Sequence, residues 1–148
     1  MLLSQYESKI SSKFQIALPK RFREELGERI IITKGLGKRL MIVSEKNWET
    51  LLEGTQGSPF IQKDASDMQR FILANAQYVQ LDSKGRCVLP EYLRIYAQIQ
   101  NELIFAGMGR LVELWNKQNW DNEQEYLSKN IENIAERLTN SAQEKAEK

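Results

Sequence analysis

Two short segments of the chain alternate between apolar and polar positions with a period of two. In residues 14–18 the apolar side chains stand at positions 14, 16 and 18, and in residues 85–89 the corresponding inward set is 85, 87 and 89. This alternation predicts two half-buried strands. Gln15 and Arg86 occupy intervening positions, so they are predicted to point outward from equivalent strands.

A second short strand is predicted before each of these, at residues 6–10 and 78–81. We therefore predict a β-hairpin in each half, with a first tip at residues 11–14 and a second tip at residues 82–85. The second tip, Asp-Ser-Lys-Gly, favours a turn because aspartate caps its own backbone and glycine accepts a positive φ. The first, Ser-Ser-Lys-Phe, favours it less because phenylalanine resists a positive φ. The two tips are expected to differ locally.

Each alternating strand ends in a proline, Pro19 or Pro90, which suits the start of a short helix. Two further strands and a second helix follow in each half. The predicted strands are 30–33, 40–43, 103–106 and 111–115, and the helices, capped by Ser44 and Asn116, carry Trp48 and Trp120. Each half is thus predicted to run strand–strand–helix–strand–strand–helix, and the fold class is α+β.

Two more segments complete the prediction. Between the halves, residues 54–59 are predicted to be a loop, and Asp64 or Ser66 is predicted to cap a helix that runs to about Ala76. A last helix is predicted over residues 122–138. Its apolar stripe is typical of a core or subunit contact and consists of Leu127, Ile131, Ile134 and Leu138. Residues from 139 onward are expected to fray.

The second half repeats the first. Residues 10–19 recur as residues 81–90, and Arg23 recurs as Arg94, at a constant separation of 71 positions. Such self-similarity indicates one supersecondary unit used twice. Because no Gly/Ser/Pro-rich linker separates the copies, we expect one fused, pseudo-two-fold body. The predicted limits are 1–53 for the first repeat, 54–76 for a connecting loop and helix, 77–120 for the second repeat, and 121–148 for a C-terminal helix and tail.

Composition argues against several classes of protein. The 148 residues include no histidine and one cysteine, so the commonest general base, a disulfide and a Cys/His zinc site are all missing. We expect no enzymatic activity, no cofactor, no metal and no small-molecule substrate. No apolar run approaches the ~18 residues of a membrane span, and no signal peptide is evident. A cytoplasmic protein is expected.

Charge is distributed unevenly although the formal net charge is only +1. Residues 9–23 contain five bases and no acid, whereas residues 121–148 contain seven acids and four bases. In the second tip, Asp82 and Arg86 lie four positions apart across the turn, so the carboxylate can hold the guanidinium. A held guanidinium suits phosphate or a guanine edge, and Lys84 adds a positive charge. A two-stranded ribbon is thin enough for a DNA major groove.

Residues 81–90, their echo at 10–19 and the Gly-x-Gly-Arg-Leu-Val-Glu-Leu-Trp stretch at 107–115 resemble the MraZ family over nearly the whole chain. The resemblance implies a bacterial transcriptional regulator, associated with the nucleoid, with two tandem SpoVT-AbrB repeats in a β-rich double-wound barrel with flanking helices. It also implies a homo-oligomeric ring that binds repeated elements in double-stranded promoter DNA of the division and cell-wall gene cluster. The family's Asp-x-x-x-Arg DNA-binding motif corresponds to Asp82 and Arg86.

The first copy departs from that motif, because Ser11 replaces the aspartate and Gln15 the arginine. Two interpretations stay open. Gln15 can hydrogen-bond an adenine edge, or the first tip has kept only phosphate attraction. The predicted DNA-binding residues are Lys13, Gln15, Lys20, Arg21, Arg23, Lys84, Arg86 and Arg94, supported by Asp82 and Ser11.

Two other functions are weighed against DNA binding. A protein-interaction or assembly module would use the stripe at residues 127–138 and its acidic flank, and the altered first tip would then indicate lost DNA binding. An antitoxin-like module would need a long tail with apolar anchors, and the residues after Leu138 are too short and too polar for that.

Overall fold

The computed structural model describes residues 1–53 and 62–147, so the predicted loop at 54–59 lies outside the described residues. The chain divides into two units, Met1–Lys117 and Gln118–Lys148. The elements of the first unit are β1 (Gln5–Lys9), β2 (Gln15–Ala17), α1 (Lys20–Leu26), β3 (Arg29–Gly35), β4 (Arg39–Ser44), α2 (Glu45–Leu52), α3 (Lys63–Ile72), β5 (Gln77–Gln80), β6 (Arg86–Val88), α4 (Glu91–Tyr96), β7 (Glu102–Gly107) and β8 (Val112–Asn116). Helix α5 (Lys117–Glu147) forms nearly all of the second unit.

The strands of the two repeats are exchanged. Six strands form an antiparallel sheet in the order β1-β7-β8-β4-β3-β5, and β2 pairs with β6 in a separate two-stranded ribbon. Strand β1 of the first repeat therefore pairs with β7 of the second, and β5 of the second pairs with β3 of the first. These pairings are equivalent under the repeat, which gives the sheet a pseudo-two-fold arrangement.

The predicted hairpins are wrong in their pairing, because neither β1 and β2 nor β5 and β6 are hydrogen-bonded partners along their length. The turns between them do form, but each pair of strands diverges beyond the turn. A half of about 70 residues is close to the lower limit for an independent core. Exchange of strands lets both halves bury their apolar faces in one core. The order of the described strands begins at β1 and ends at β5, so a closed barrel is not confirmed.

The core lies between the sheet and the ribbon, and it draws on both repeats. On β3, Ile30 and Ile32 face this core, whereas Ile31 is buried on the opposite side of the sheet. Helices α2 and α3 pack against β3, which explains why this strand is a continuous β-branched run. The core includes matching residues of the two repeats, namely Ile16 and Cys87, Leu18 and Leu89, and Phe22 and Leu93.

One predicted helix cap is confirmed, and the limits of two other helices differ from the prediction. Ser44 caps α2 as predicted, with its Oγ accepting a hydrogen bond from Asn47 N. Helix α3 begins at Lys63, after Gln62, and ends at Ile72, so neither Asp64 nor Ser66 is its cap. Residues 139–147, expected to fray, continue α5, because this segment is rich in the strong helix formers alanine, glutamate, glutamine and lysine.

The predicted stripe of α5 is not a core, since none of the described residues of this helix is buried. Among residues 1–53 and 62–147, no helix has both the length and the apolar character needed to span a bilayer.

Candidate nucleic-acid interface

The ribbon of β2 and β6 brings the two tips onto one surface. Gln15 lies directly opposite Val88, and Ala17 lies opposite Arg86. These four residues, which we call the ribbon face, point away from the core, whereas Ile16 between them is fully buried. Because the strands are antiparallel, the tips lie at opposite ends of the ribbon, about 14 Å apart at ~3.4 Å per residue.

In the second tip, one carboxylate accepts three hydrogen bonds, two of them from Arg86. Asp82 Oδ1 accepts from Lys84 N at 2.9 Å and from Arg86 N at 2.8 Å. Asp82 Oδ2 accepts from Arg86 Nε at 2.9 Å. Gly85 N closes the turn on Asp82 O, at 2.9 Å. The guanidinium is thus oriented by its own turn, while the side chains of Lys84 and Arg86 remain exposed.

These bonds lower the pKa of Asp82 below its ordinary value of 3.8. The largest cause is the bond from the Arg86 N–H; the guanidinium and the Lys84 N–H lower the pKa further, and partial desolvation opposes them. A carboxyl whose pKa is lowered by folding favours the folded state above its unfolded pKa and loses that contribution as the pH falls through the folded pKa. The carboxylate's contribution to the turn is therefore fully present well above pH 3.8 and is lost as the pH falls below that value.

We expect an NMR titration of the Asp82 carboxyl to show a midpoint below 3.8. In Arg86→Ala the midpoint should rise but stay below 3.8, because the backbone N–H at position 86, the largest cause of the lowered pKa, is retained. A midpoint at or above 3.8 in the unsubstituted protein would contradict the turn described above.

The first tip has the same backbone turn although its sequence differs. Ser11 Oγ accepts from Lys13 N at 3.3 Å and from Gln15 N at 3.0 Å, in the way that Asp82 Oδ1 does in the second tip. Phe14 N closes the turn on Ser11 O at 3.0 Å. Phe14 has a φ of 61° and Gly85 a φ of 75°. The prediction that the tips differ locally is therefore wrong for the backbone.

Phe14 adopts the left-handed conformation because a neighbour from the other repeat supports its ring. This conformation costs a non-glycine residue about 1–2 kcal/mol. Arg94 Cζ lies 4.1 Å from the centroid of the Phe14 ring, and such a cation–π contact contributes about 0.5–2 kcal/mol. Phe14 is 46% exposed, so its predicted inward orientation is also wrong.

Arg23 takes the equivalent position behind the second tip. A Cβ added to Gly85 would lie 2.0 Å from Arg23 Cδ, so glycine is required there for the close approach as well as for its positive φ. The Nε atoms of Arg23 and Arg94 are both buried and have no hydrogen-bond partner among the described residues. Each arginine thus packs against the tip of the other repeat.

The remaining predicted site residues fall into two groups. Lys13 and Lys84 are exposed at the two tips. Lys20 is exposed at the start of α1 and lines one cleft with Arg23, Asp82 and Ser83, beside the second tip. Arg21 is exposed on α1, and no described contact joins it to either tip.

Two ribbon-face residues, Ala17 and Val88, were not among the predicted site residues. The period-two alternation placed both outward, but neither carries a charge or a hydrogen-bonding group, so residue chemistry did not single them out. Val88 is 56% exposed between Cys87 and Leu89, which are buried. An exposed β-branched side chain on the same face as Gln15 and Arg86 is a candidate for apolar contact with a ligand.

Cys87 faces the core as predicted. Burial, together with the nearby charge of Asp82, raises the pKa of its thiol to about 11, so the side chain is a thiol rather than a thiolate at neutral pH. Among the described residues, no group of three His, Cys, Asp or Glu side chains is placed to hold a metal ion.

Comparison with known proteins detects the same internal repeat. The sequence model of one family, described as "MraZ protein, putative antitoxin-like", matches residues 1–71 and again residues 72–142. A protein named Transcriptional regulator MraZ from Caldanaerobacter subterraneus subsp. tengcongensis is 39% identical over 140 residues, which cover 95% of this chain and 98% of that protein. Proteins of the same name from Thermoanaerobacter sp. and Natranaerobius thermophilus are 38% and 33% identical over 138 residues, each covering 93% of this chain and 96% of the relative. The predicted resemblance and the internal repeat are confirmed.

Proposed function

Because the chain belongs to the MraZ family, we propose that it is a sequence-specific DNA-binding regulator that reads repeated promoter elements with its ribbon face and its two tips. Relatives across most of its length are named transcriptional regulators, which points to a non-enzyme. The promoter of the division and cell-wall gene cluster is the proposed target, and the nucleoid the proposed location.

The observation that carries this proposal is the orientation of Arg86 by Asp82 at one end of an exposed ribbon. The bond from Arg86 Nε to the carboxylate limits the rotamers of the guanidinium, so less side-chain freedom is lost on binding. The remaining nitrogens of a guanidinium match the O6 and N7 acceptors of guanine. A ribbon carrying such a group has the dimensions of a major-groove element.

Phosphate contacts are assigned to the exposed bases around the ribbon. Lys13 and Lys84 lie at its two ends, where they would meet the DNA backbone on either side of the groove, and Lys20 and Arg21 extend this basic surface along α1. Such contacts set affinity and register rather than sequence preference. Arg23 and Arg94 act mainly behind the tips, since their Nε atoms are buried there.

We also propose that the protein self-associates. Helix α5 exposes much of its apolar stripe, with Ile131 51% and Leu138 67% exposed, and a second copy is the proposed partner. A ring would place several ribbons on spaced repeats and raise affinity by multivalency. The double-wound barrel also stays a proposal, supported by the exchange of β1 and β5 between the repeats.

The proposal is tested by binding to the DNA immediately upstream of its own gene, compared with a scrambled duplex of equal length. We expect preferential binding that weakens as salt rises. Lys13→Ala should weaken binding to both duplexes and reduce the slope of log K against log[salt] by about 1. Lys46→Ala, which removes a charge from α2, is the matched control and should leave the slope unchanged. Equal binding to both duplexes would refute sequence-specific recognition.

A protein-interaction module is the second candidate, favoured by the exposed stripe on an acidic helix. Heparin chromatography separates the two functions. A DNA-binding regulator should be retained and elute with salt, whereas a protein adaptor should pass through the column. Elution in the flow-through would favour the second candidate.

A further inference from the structure

We propose that Gln15 and Val88 together read a single A·T base pair, with the Gln15 amide on adenine and the Val88 methyl groups on the thymine methyl. This inference rests on the proposed DNA-binding function and assigns a base contact to the first repeat, where the arginine of the family motif is absent.

The register of the ribbon places these two side chains next to each other. Leu89 N donates to Phe14 O at 2.8 Å, and Leu18 N donates to Gly85 O at 2.9 Å. In an antiparallel pair, hydrogen-bonded and non-hydrogen-bonded pairs alternate. Gln15 and Val88 are therefore a non-hydrogen-bonded pair, whose Cα atoms are about 4.5 Å apart and whose side chains are closest.

The side chains of Gln15 and Val88 match the chemical groups of an A·T base pair and not those of a G·C base pair. In the major groove, adenine presents the N7 acceptor and the N6 donor, and its partner thymine presents a methyl group. A glutamine amide satisfies both adenine groups, and an aliphatic side chain beside it meets the methyl. A G·C pair offers neither the N6 donor nor the methyl group.

The backbone beneath Gln15 is held, so the amide is presented from a defined position. Gln15 N donates to Ser11 Oγ at 3.0 Å, and the adjacent Phe14 is stacked beneath Arg94. Val88 is exposed although both of its sequence neighbours are buried. Nothing in the described part of the core requires a branched apolar side chain at this position.

The two tips then supply different base-contacting side chains at a fixed spacing. Arg86 is paired with Ala17, two residues along β2 from Gln15, which corresponds to about 6.8 Å. Successive base pairs are ~3.4 Å apart. A ribbon lying along the groove would place the guanine read by Arg86 about two base-pair steps from the A·T pair. The departure of the first repeat from the family motif thereby gains a specific meaning.

The test asks whether the methyl groups of Val88 and the methyl group of one thymine contribute to binding through the same contact. Each thymine of the bound upstream duplex is replaced in turn by deoxyuridine, which lacks only the 5-methyl group. One replacement is expected to weaken binding of the unsubstituted protein by about fourfold, the effect of losing one buried methyl group. In Val88→Ala the same replacement should have no effect. Ile95→Ala, which truncates an exposed aliphatic side chain on α4, is the control and should keep the fourfold loss.

The unsubstituted protein should prefer A·T over G·C at that same base pair by at least about fivefold in affinity. Gln15→Ala should abolish this preference. Val88→Thr keeps the shape and one methyl group of the side chain. Specific DNA binding by this variant would verify that the β2–β6 ribbon tolerates substitution at this position. If deoxyuridine has the same effect on the Val88→Ala variant as on the unsubstituted protein, or if the two variants act at different base pairs, this inference is overturned while Arg86→Ala can still weaken binding. Absence of any specific binding would instead overturn the proposed function, and this inference with it.

Discussion

Arg86→Ala is expected to weaken binding to the specific DNA site by about 1–3 kcal/mol, which corresponds to about 5- to 150-fold in Kd. The guanidinium is the group at the second tip that can contact guanine through two nitrogens, and its Nε is already bonded to Asp82. The effect should be concentrated at one G·C pair of the site. A fluorescence-anisotropy titration against the upstream duplex and single-base variants of it measures both quantities.

Arg86→Lys separates the base contact from the charge. Lysine keeps the positive charge but lacks the planar fork, so this variant should retain the salt slope and show a weaker preference for G·C. Asp82→Asn should weaken specific binding less than Arg86→Ala, because the guanidinium remains but is no longer held by a carboxylate. Unchanged affinity in Arg86→Ala would remove the second tip from the recognition surface.

Phe22→Ala is expected to lower the free energy of unfolding by about 3–5 kcal/mol. Phe22 is 1% exposed, and its ring meets the Tyr6 ring edge-on, with centroids 5.1 Å apart. Tyr6 belongs to β1, which pairs with β7 of the second repeat. The cavity would therefore open where the two repeats share their core, and both should lose stability together. Denaturant titration followed by circular dichroism measures the loss.

The shared core predicts that residues 1–117 unfold in one transition. Amide hydrogen exchange in β3 and β7 should accelerate to the same extent in Phe22→Ala, although the substitution lies in the first repeat. Leu36→Ala, in an exposed turn, is the control and should change stability by less than ~0.5 kcal/mol. Loss of protection in β3 alone would show that the repeats fold as separate units.

Local features of the site were predictable because they depend on neighbours in sequence. The contact between Asp82 and Arg86 follows from an aspartate four positions before an arginine, across a turn that ends in glycine. The outward orientation of Gln15 and the burial of Cys87 follow from the period-two alternation. The prolines correctly marked the starts of α1 and α4, since a fixed φ and a missing N–H act within a few residues.

Features that depend on contacts between the repeats were not predictable in this way. The Phe14 turn is one example: propensity alone disfavours it, and Arg94, which lies 80 positions away in the chain, supports it. The close approach of Arg23 to Gly85 is another. In both cases the deciding atoms come from the other repeat, and no local pattern records them.

The repeat of one unit, most of the strands and helices, and the closure of the second tip on its own carboxylate are already evident in the sequence. The strands, the helices and the closed tip follow from hydrogen bonds and steric preferences that act over a few residues, and the repeat follows from comparison of the two halves. Contacts in three dimensions were needed to establish that the repeats exchange β1 and β5, that both tips belong to one ribbon, and that Val88 lies beside Gln15. Strand partners are chosen by which pairing buries the apolar faces of both halves, and that energy depends on the whole unit rather than on any single segment.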